Sequence, residues 1–182
     1  MVGFGHGESA WVRGAQAGSV SDLEALFRAH WPRAYRAAYL IVHDGAAAED
    51  IAQEAFLAAV RALDRFDRRR PFGPWLHRIA INRAIDWARA RSLRAEIGDG
   101  EVPELAAAGR NPEPAGGPYS EATAQALASL SPEHRAVIVL RYLLDYTPGE
   151  IAELLELPRG TVNSRLRRGL DALQDQLPEE AL

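Results

Sequence analysis

The segment "RRRPFGPWLHRIAINRAIDWARAR", from Arg68 to Arg91, concentrates arginine and tryptophan in a chain whose formal net charge is −4. Arginine side chains bind phosphate groups, and an adjoining aromatic ring can stack on an unpaired base. The segment therefore contains candidates for contact with nucleic acid, including a loop suited to surround a base turned out of the stack. These candidates are Arg68, Arg69, Arg70, Phe72, Trp75, Arg78, Asn82 and Arg89. The alternative is a solvated arginine face over a tryptophan core; we expect Trp87 in the core, and Trp75 fits either role.

Basic and acidic residues are segregated along the chain. Residues 61–94 hold ten arginines and three aspartates, residues 96–156 hold eleven acidic side chains and three arginines, and residues 159–168 hold four arginines and no acid. Two basic islands of this kind are typical of a protein that binds a polyanion, even when the overall charge is negative. Two solvated helix faces would give the same pattern, so charge alone leaves both interpretations open.

The residue types needed for catalysis or metal binding are not grouped in the sequence. The chain has no cysteine, and its five histidines do not occur at ligand spacing, so we expect no metal site and no cofactor. The acidic residues of the first basic island, Asp64, Asp67 and Asp86, each have an arginine nearby to pair with. We therefore expect a protein that is not an enzyme.

The sequence also lacks the features of a membrane or secreted protein. No apolar run approaches the roughly 18 to 20 residues that cross a bilayer. The N-terminal stretch "MVGFGHGESAWVRG" has neither the basic start nor the apolar run of a signal peptide. We expect a cytoplasmic protein without membrane insertion.

Capping signals and the absence of alternating strand patterns predict an all-α fold. Ser21 with Glu24, and Thr147 with Glu150, have the spacing of a capping box at a helix N-terminus. Ser131, which precedes a proline, is a further candidate for the residue that caps a helix.

A stretch of unusual composition divides the chain. Residues 96–118 contain five glycines, four prolines and five acidic residues, which is the composition of a flexible linker. We therefore predict two small helical domains joined by a flexible acidic linker. The predicted divisions are an N-terminal segment 1–19 with a short helix around Ser9–Gln16, a domain 20–95, the linker 96–118, a domain 119–177 and a tail 178–182.

The segment "AEDIAQEAFLAAVRALDRF", from Ala48 to Phe66, predicts a helix with two unlike sides. The apolar side, expected in the core, holds Ile51, Ala55, Ala58, Ala59, Ala62 and Phe66. The opposite side holds Asp50, Gln53, Glu54, Leu57 and Arg61. A leucine surrounded by polar side chains resembles a protein-binding hot spot with its rim, although single exposed leucines are also common.

Proline and glycine set the predicted local structure of the arginine-rich segment. They predict a loop at Arg68–Gly73 and a helix that starts at Pro74. On that helix Arg78, Asn82 and Arg89 share one face. A second, apolar face holds Leu76, Ala80, Ala84 and Trp87.

The segment "YTPGEIAELLELPRGTVNSRLRRGLDAL", from Tyr146 to Leu173, has the pattern of a helix-turn-helix. A capped apolar helix breaks at "ELPRG", and the buried stripe of the next helix is Val162, Leu166, Leu170 and Leu173. Side chains outside this stripe suit contact with base edges or phosphates in a major groove. These candidates are Arg159, Thr161, Asn163, Ser164, Arg165, Arg167 and Arg168. A helical hairpin that binds no DNA is the alternative.

The two halves of the chain, in this order, resemble a bacterial extracytoplasmic-function (ECF, group IV) sigma factor of the sigma-70 superfamily. The resemblance rests on "DIAQEAF", "PWLHRIAINRAIDWAR", "LSPEHRAVIVLRY" and the helix-turn-helix segment. It implies a protein without catalytic activity that binds core RNA polymerase, directs it to promoters and takes part in −10 melting and transcription initiation. The main alternative, a stand-alone helix-turn-helix regulator of duplex DNA, leaves Leu57 and the loop at Arg68–Gly73 without a role.

The resemblance also implies a role for each group of candidate residues. The helix that carries Leu57 would dock on the largest polymerase subunit, and the arginine-rich segment would melt the −10 element and capture a single-stranded base. The helix after Pro158 would read the duplex −35 element. Many family members are held inactive by an anti-sigma factor, so we expect such a partner beside core RNA polymerase and promoter DNA. Pro158 and Asn163 differ from the residues frequent in the family, which leaves the promoter sequence open.

Overall fold

The computed structural model of the chain describes residues 6–97 and 121–176, and within these two ranges it contains helices and no strand. The α-helices are α1 (His6–Gln16), α2 (Val20–Val42), α3 (Gly45–Ala62), α4 (Phe72–Ile97), α5 (Glu121–Ser129), α6 (Pro132–Ile138), α7 (Pro148–Leu155) and α8 (Arg159–Gln174). A 3-10 turn, Leu63–Arg65, follows α3, and a π-helical segment, Val139–Leu143, continues α6. The all-α prediction is confirmed. Most of the predicted linker 96–118, and the tail 178–182, lie outside the described residues.

The start of α2 differs from the predicted one. Ser19 is the N-cap, and its hydroxyl accepts a hydrogen bond from the backbone amide of Asp22 at 3.3 Å. The predicted capping box of Ser21 and Glu24 is therefore wrong, because Ser21 already lies inside the helix and Glu24 bonds to Arg28 one turn later. A serine two residues earlier satisfies the first free amides of the helix and moves its start accordingly.

The other two predicted helix starts are confirmed. Thr147 accepts from the backbone amide of Glu150 at 3.3 Å, and the Glu150 carboxylate accepts from the backbone amide of Thr147 at 2.7 Å, which completes a capping box. Ser131 caps α6 by accepting from the backbone amide of His134. These caps position the two helices that lead into the helix-turn-helix.

Helix α4 begins earlier than predicted. Its first residue is Phe72, so the loop that follows α3 is shorter than Arg68–Gly73, and Pro74 lies in the first turn instead of at the first position. Proline is tolerated there because the first amides of a helix have no partner within the helix.

An N-terminal unit is formed by α1 to α4. One cluster of buried side chains joins all four helices and includes Val12, Leu26, Phe56, Phe66, Phe72, Leu76 and Ala80. The predicted apolar side of α3 faces the interior: Ile51, Ala55, Ala59 and Phe66 are buried, and Ala58 and Ala62 are half-buried. Burial of the large side chains among these, Ile51 and Phe66, contributes about 1.5 to 3 kcal/mol each to the free energy of unfolding.

A C-terminal unit is formed by α5 to α8. Helix α7 is followed by its C-cap residue, Glu156, whose backbone is left-handed with φ of 55°. Helix α8 starts three residues after this cap. The predicted stripe of α8 is confirmed, since Val162, Leu166 and Leu173 are buried and Leu170 is half-buried. Gly169 lies where α8 crosses α6, and a Cβ atom there would come within 3.2 Å of the Ile138 side chain.

The two units share one apolar core, which the sequence did not predict. Ile41 and Val42 of α2 and Ile81 and Ile85 of α4 belong to the same buried cluster as the side chains of α6. The side chains that the C-terminal unit contributes include Val137, Leu140, Leu144, Ile151 and Val162. Within the described residues the chain is therefore one packed body in which the C-terminal unit lies on α2 and α4.

The cap of α2 is tested by two serine substitutions. We expect Ser19→Ala to lower the free energy of unfolding by about 1 kcal/mol, because it removes the acceptor for a free helix amide. Ser21→Ala is the matched control and should change the free energy by less than about 0.5 kcal/mol. Urea unfolding followed by circular dichroism measures both. A larger loss for Ser21→Ala than for Ser19→Ala would restore the capping box predicted from sequence.

Candidate nucleic-acid interface

The predicted nucleic-acid face of α4 is a row of side chains on one side of the helix. Asn82 and Arg89 are exposed and Arg78 is half-buried. Residues at this spacing fall on one side because each residue of an α-helix advances by about 100°. Trp75 lies one turn before Arg78 and is half-buried. The structure thus brings the predicted residues of α4 together.

Trp75 stands on an aromatic support. Its ring stacks on Phe66, with 4.5 Å between the ring centroids, and Phe72 meets both rings edge-on. Phe72 is the first residue of α4 and has an exposed fraction of 2%, so the prediction that Phe72 lies in a loop is wrong. The predicted contact of Phe72 with a base stays a prediction. The Phe72 ring is buried because it completes the apolar core of the N-terminal unit.

The three arginines before α4 remain in the connecting segment and are exposed. The guanidinium of Arg69 bonds to both carboxylate oxygens of Asp67, at 3.0 and 3.0 Å. The hydrogen bonds from Arg69 hold the pKa of Asp67 below its usual value. Arg70 and Trp75 line an open cleft with Phe66 and Arg65. The position of Arg65 in this cleft was not predicted, because the sequence shows only one more arginine in the first basic island.

Two arginines of the predicted α4 face form ion pairs with the C-terminal unit. Arg89 bonds to Glu133 at 2.5 Å, and Arg78 bonds to Glu156. Burial raises the pKa of Glu133, but the hydrogen bond and charge of Arg89 outweigh this and leave the pKa below its usual value. Neither pair was predicted, because the partners are far apart in sequence.

A buried hydrogen bond also joins the two units. His77 Nδ1 and the Tyr146 hydroxyl are 2.8 Å apart, and the exposed fraction of His77 is 4%. Burial, with the charges of His30 and Arg33, lowers the pKa of His77 to about 3, and burial raises the pKa of Tyr146. Both side chains are therefore neutral at neutral pH, which suits a bond in the apolar contact between the units.

Arg135 ties the two units together through carbonyl oxygens. Its guanidinium donates to the carbonyls of Ala128 and Leu130 in its own unit, at 3.1 and 2.8 Å, and to the carbonyl of Ile41 at the end of α2. Burial lowers the pKa of Arg135 to about 10. The bonds to carbonyl oxygens compensate a charge that is largely removed from water.

Helix α8 presents most of its predicted contact residues to solvent. Arg159, Asn163, Arg167 and Arg168 are exposed, and Thr161, Ser164 and Arg165 are half-buried. The Ser164 hydroxyl donates to the Thr161 carbonyl at 3.0 Å. The arginine side of α8 lies opposite the stripe that packs on α6 and α7, as a helix that enters a groove requires.

The polar side of α3 is exposed as a whole. Leu57 has an exposed fraction of 53%. Its polar neighbours on this side of the helix are exposed as well: Asp50, Gln53, Glu54 and Arg61. Glu54 bonds to Arg83 of α4, and Gln53 bonds to Glu49. The bond between Glu54 and Arg83 joins the polar side of α3 to α4, and the bond between Gln53 and Glu49 lies within α3.

An exposed aromatic side chain of α2 that packs against α3 was not predicted from the sequence. Phe27 of α2 has an exposed fraction of 41% and stacks on Trp31, with 4.8 Å between the centroids. It also contacts Phe56, the neighbour of Leu57, and Val60 adds an exposed fraction of 39% on α3. The only sequence signal was the four-residue spacing of Phe27 and Trp31, which a buried helix face gives equally well. We call Phe27, Leu57 and Val60 the apolar patch.

No three histidine, aspartate or glutamate side chains of residues 6–97 and 121–176 lie close enough together to hold a metal ion. None of the described helices is long and apolar enough to cross a membrane.

Comparisons with known proteins match both units of the chain. Residues 26–94 match the family model of sigma-70 region 2, and residues 120–173 match that of sigma-70 region 4. The chain is 38% identical over 176 residues to the ECF RNA polymerase sigma factor SigW of Bacillus subtilis, covering 91% of this chain and 92% of that protein.

The chain belongs to the ECF RNA polymerase sigma factors.

A second relative gives the same result. This sigma factor is 34% identical over 175 residues to the ECF RNA polymerase sigma factor SigL of Mycobacterium tuberculosis, covering 93% of this chain and 97% of that protein. The relatives match across both units, so the chain is an RNA polymerase sigma factor and not a stand-alone helix-turn-helix regulator.

Solved structures share the fold of this sigma factor. CnrH in complex with the cytosolic domain of CnrY has a TM-score of 0.68 and 28% identity, and covers 93% of this chain and 96% of its own. The sigma factor RpoE of Bartonella quintana, in complex with the anti-sigma factor NepR, has a TM-score of 0.68 at 21% identity, covers 86% of this chain and 97% of its own, and shows the fold alone.

The buried histidine predicts a pH-dependent stability. The pKa of His77 returns to its ordinary value of 6.5 on unfolding, so its contribution is complete above this pH and is lost as the pH falls towards about 3. Between about pH 7.5 and pH 5.5, this loss amounts to about 1.4 kcal/mol, because one pKa unit corresponds to about 1.4 kcal/mol.

Urea unfolding of the wild type and of His77→Gln at both pH values measures this loss. His43, whose pKa is lowered to about 4 chiefly by burial, contributes to both proteins and cancels in the comparison. The wild type should lose about 1.4 kcal/mol more than the variant. Equal losses would contradict a neutral, buried His77.

Proposed function

We propose that this sigma factor belongs to group IV, has no catalytic activity of its own and acts in the cytoplasm, where it joins core RNA polymerase and directs it to promoters. The observation that carries the proposal is that each matched region presents an arginine-bearing helix face, on α4 and on α8. Two separate faces on one chain fit a promoter with two elements, the −10 and the −35.

We assign the −35 element to α8. Arginine pairs with the two acceptors of guanine in the major groove, and asparagine pairs with adenine, so Arg168 and Asn163 have the chemistry to read base edges. Arg159 near the helix N-terminus is placed to hold a phosphate. The exposed arginines at the middle of α8 lie clear of its packed side, and a major groove therefore has room to receive them.

We assign the −10 element to α4 and the segment before it. A base turned out of the duplex loses stacking worth a few kcal/mol, and an aromatic platform restores part of it. Trp75, supported by Phe66, supplies that platform, and the exposed Arg68 and Arg70 supply charge for the neighbouring phosphates. Phe72 has a positioning role, because its buried ring packs edge-on against the Trp75 ring.

We assign polymerase binding to the apolar patch and the polar side of α3. An exposed aromatic and two aliphatic side chains, bordered by Asp50, Gln53 and Glu54, have the composition of an interface hot spot with a polar rim. A solvated helix face would not need three large apolar side chains to be exposed on α2 and α3.

We also propose that a protein inhibitor binds this sigma factor. Support comes from CnrH, which was solved in complex with the cytosolic domain of CnrY and is similar over 93% of this chain. The present chain has no cysteine, so any redox sensing would have to reside in the inhibitor.

The function is tested by run-off transcription from genomic DNA with core polymerase of the same organism, with and without the purified chain. New start sites that depend on the added chain are expected. If the chain does not co-elute with core polymerase and adds no start site, the proposed function is wrong.

Leu57→Glu tests the polymerase assignment. We expect the affinity for core polymerase to fall by at least about thirtyfold, because a hot-spot residue contributes about 2 kcal/mol or more. Leu93→Glu, at an exposed leucine near the end of α4, is the matched control and should bind normally. Competition against another sigma factor measures both. Normal competition by Leu57→Glu would remove the apolar patch from the interface.

Arg168→Ala tests the −35 assignment. If Arg168 reads a base, we expect promoter binding by the holoenzyme to lose about 1–3 kcal/mol and sequence preference at one −35 position to relax. A contact to a phosphate alone would give a smaller loss that is equal for all sequences. Arg13→Ala, at an exposed arginine of α1, is the control. Equal transcription by Arg168→Ala from every −35 variant, at the wild-type level, would contradict the assignment.

A further inference from the structure

Helix α1 contacts the turn that precedes the arginine-rich segment. Gln16 is the last residue of α1, and its side-chain amide donates to the carbonyl oxygen of Leu63 at 2.8 Å and to that of Phe66 at 3.0 Å. A side-chain amide nitrogen has two hydrogens to donate, so both are used on this turn. Gln16 lies 47 and 50 positions from these residues in the sequence, so the contact is a product of the tertiary structure.

Helix α1 is itself fixed along its whole length. Near its start, a Glu8 carboxylate oxygen and His30 Nε2 of α2 are 2.8 Å apart. In its middle, Val12 is buried in the core of the N-terminal unit. After its end, Gly18 has a left-handed backbone with φ of 88°, a conformation that terminates a helix at low cost only with glycine. Gln16 therefore extends from a helix that is held in place.

The turn that Gln16 contacts forms one wall of the cleft beside Trp75. Phe66, whose carbonyl accepts from Gln16, stacks on Trp75 with 4.5 Å between the ring centroids. The cleft has a volume of about 450 Å³, and its lining includes Ala62, Arg65 and Phe66 on the side of the turn and Trp75 on α4. A displacement of the turn would therefore move the ring that supports Trp75 and change the width of the cleft.

Burial of the Phe66 ring does not fix its position by itself. Hydrophobic attraction has no preferred direction, whereas a hydrogen bond weakens steeply when its angle is lost. Phe66 follows the 3-10 turn with an extended backbone, so its carbonyl lies outside the hydrogen-bond pattern of a helix. Two bonds from one amide to this short stretch of backbone set both its direction and its distance from α1.

We propose that Gln16 is a positioning residue for −10 recognition, which holds the turn after α3 so that Phe66 and Trp75 form the platform for an unpaired base. The inference rests on the proposed function, because it uses the assignment of Trp75 to the −10 element. It gives α1 a part in promoter recognition, although the match to the family model of region 2 covers residues 26–94 and leaves α1 out.

The experiment compares the wild type with Gln16→Leu, which removes both donors and adds no charge. Each protein is joined with core polymerase and with DNA of a promoter located by run-off transcription. One probe is a fork, duplex through the −35 element and single-stranded over the −10 element, and the other probe ends before the −10 element. The ratio of the two affinities isolates the −10 contact, because a loss of folding or of polymerase binding lowers both. Gln174→Leu, at an exposed glutamine of α8, is the matched control.

We expect the ratio to fall about tenfold in Trp75→Ala, because this variant removes the ring on which the base stacks. Gln16→Leu displaces the platform without removing it, so the ratio should fall by about fivefold. Gln16→Leu added to Trp75→Ala should change the ratio by less than about twofold, since two changes that act through one group are not additive. Gln174→Leu should also change it by less than about twofold.

A milder variant keeps the inference testable if Gln16→Leu does not fold. Gln16→Asn retains the amide on a side chain that is shorter by one methylene group, so it cannot reach both carbonyl oxygens at their present distances. We expect it to lower the ratio in the same direction as Gln16→Leu and to lose this effect in the Trp75→Ala background.

The outcomes separate failure of this inference from failure of the −10 assignment. A normal ratio in the Gln16 variants, together with a low ratio in Trp75→Ala, would overturn the inference and leave the assignment standing. A normal ratio in Trp75→Ala would overturn the assignment of the platform, and the inference with it. A Gln16 effect that is undiminished in the Trp75→Ala background would also overturn the inference, because Gln16 would then act by a route other than the platform.

Discussion

Helix α4 packs against other helices on two of its sides and exposes a row of polar side chains on a third. The positions of the other helices depend on the need to bury both apolar sides of α4. Leu76 and Ala80 belong to the core of the N-terminal unit, whereas Ile81, Ala84 and Ile85 belong to the core that both units share. Because the apolar side chains of α4 occur on more than one side, the helix cannot be covered by α1 to α3 alone. The C-terminal unit completes its burial and in doing so comes to lie beside its arginines.

The segregation of charge along the sequence becomes complementarity between the units. The first basic island contributes Arg78 and Arg89, and the acidic stretch that follows contributes Glu133 and Glu156. These pairs are partly exposed, so each contributes little to the free energy of unfolding. Arg135 has the opposite character, because it is half-buried and bonded to carbonyl oxygens on both units, and losing these acceptors would leave its charge poorly compensated.

The same fold supplies the three surfaces that a sigma factor is proposed to need. The apolar patch faces solvent on the N-terminal unit, and the arginine side of α8 faces solvent on the C-terminal unit. The row of α4 that we assign to the −10 element lies beside the C-terminal unit, with Asn82 and Arg89 exposed.

Local chemistry determined what the sequence alone could predict: the all-α class, the caps at Thr147 and Ser131, the buried stripe of α8 and the exposure of Leu57 all follow from neighbours within one or two turns. The start of α2 was missed because two serines compete as caps and only backbone geometry selects Ser19. Burial of Phe72, the aromatic support of Trp75, the bond between His77 and Tyr146 and the pairing of Glu133 with Arg89 were decided by tertiary structure. These contacts join residues far apart in the chain, and no periodicity along the sequence records which helix face will meet which.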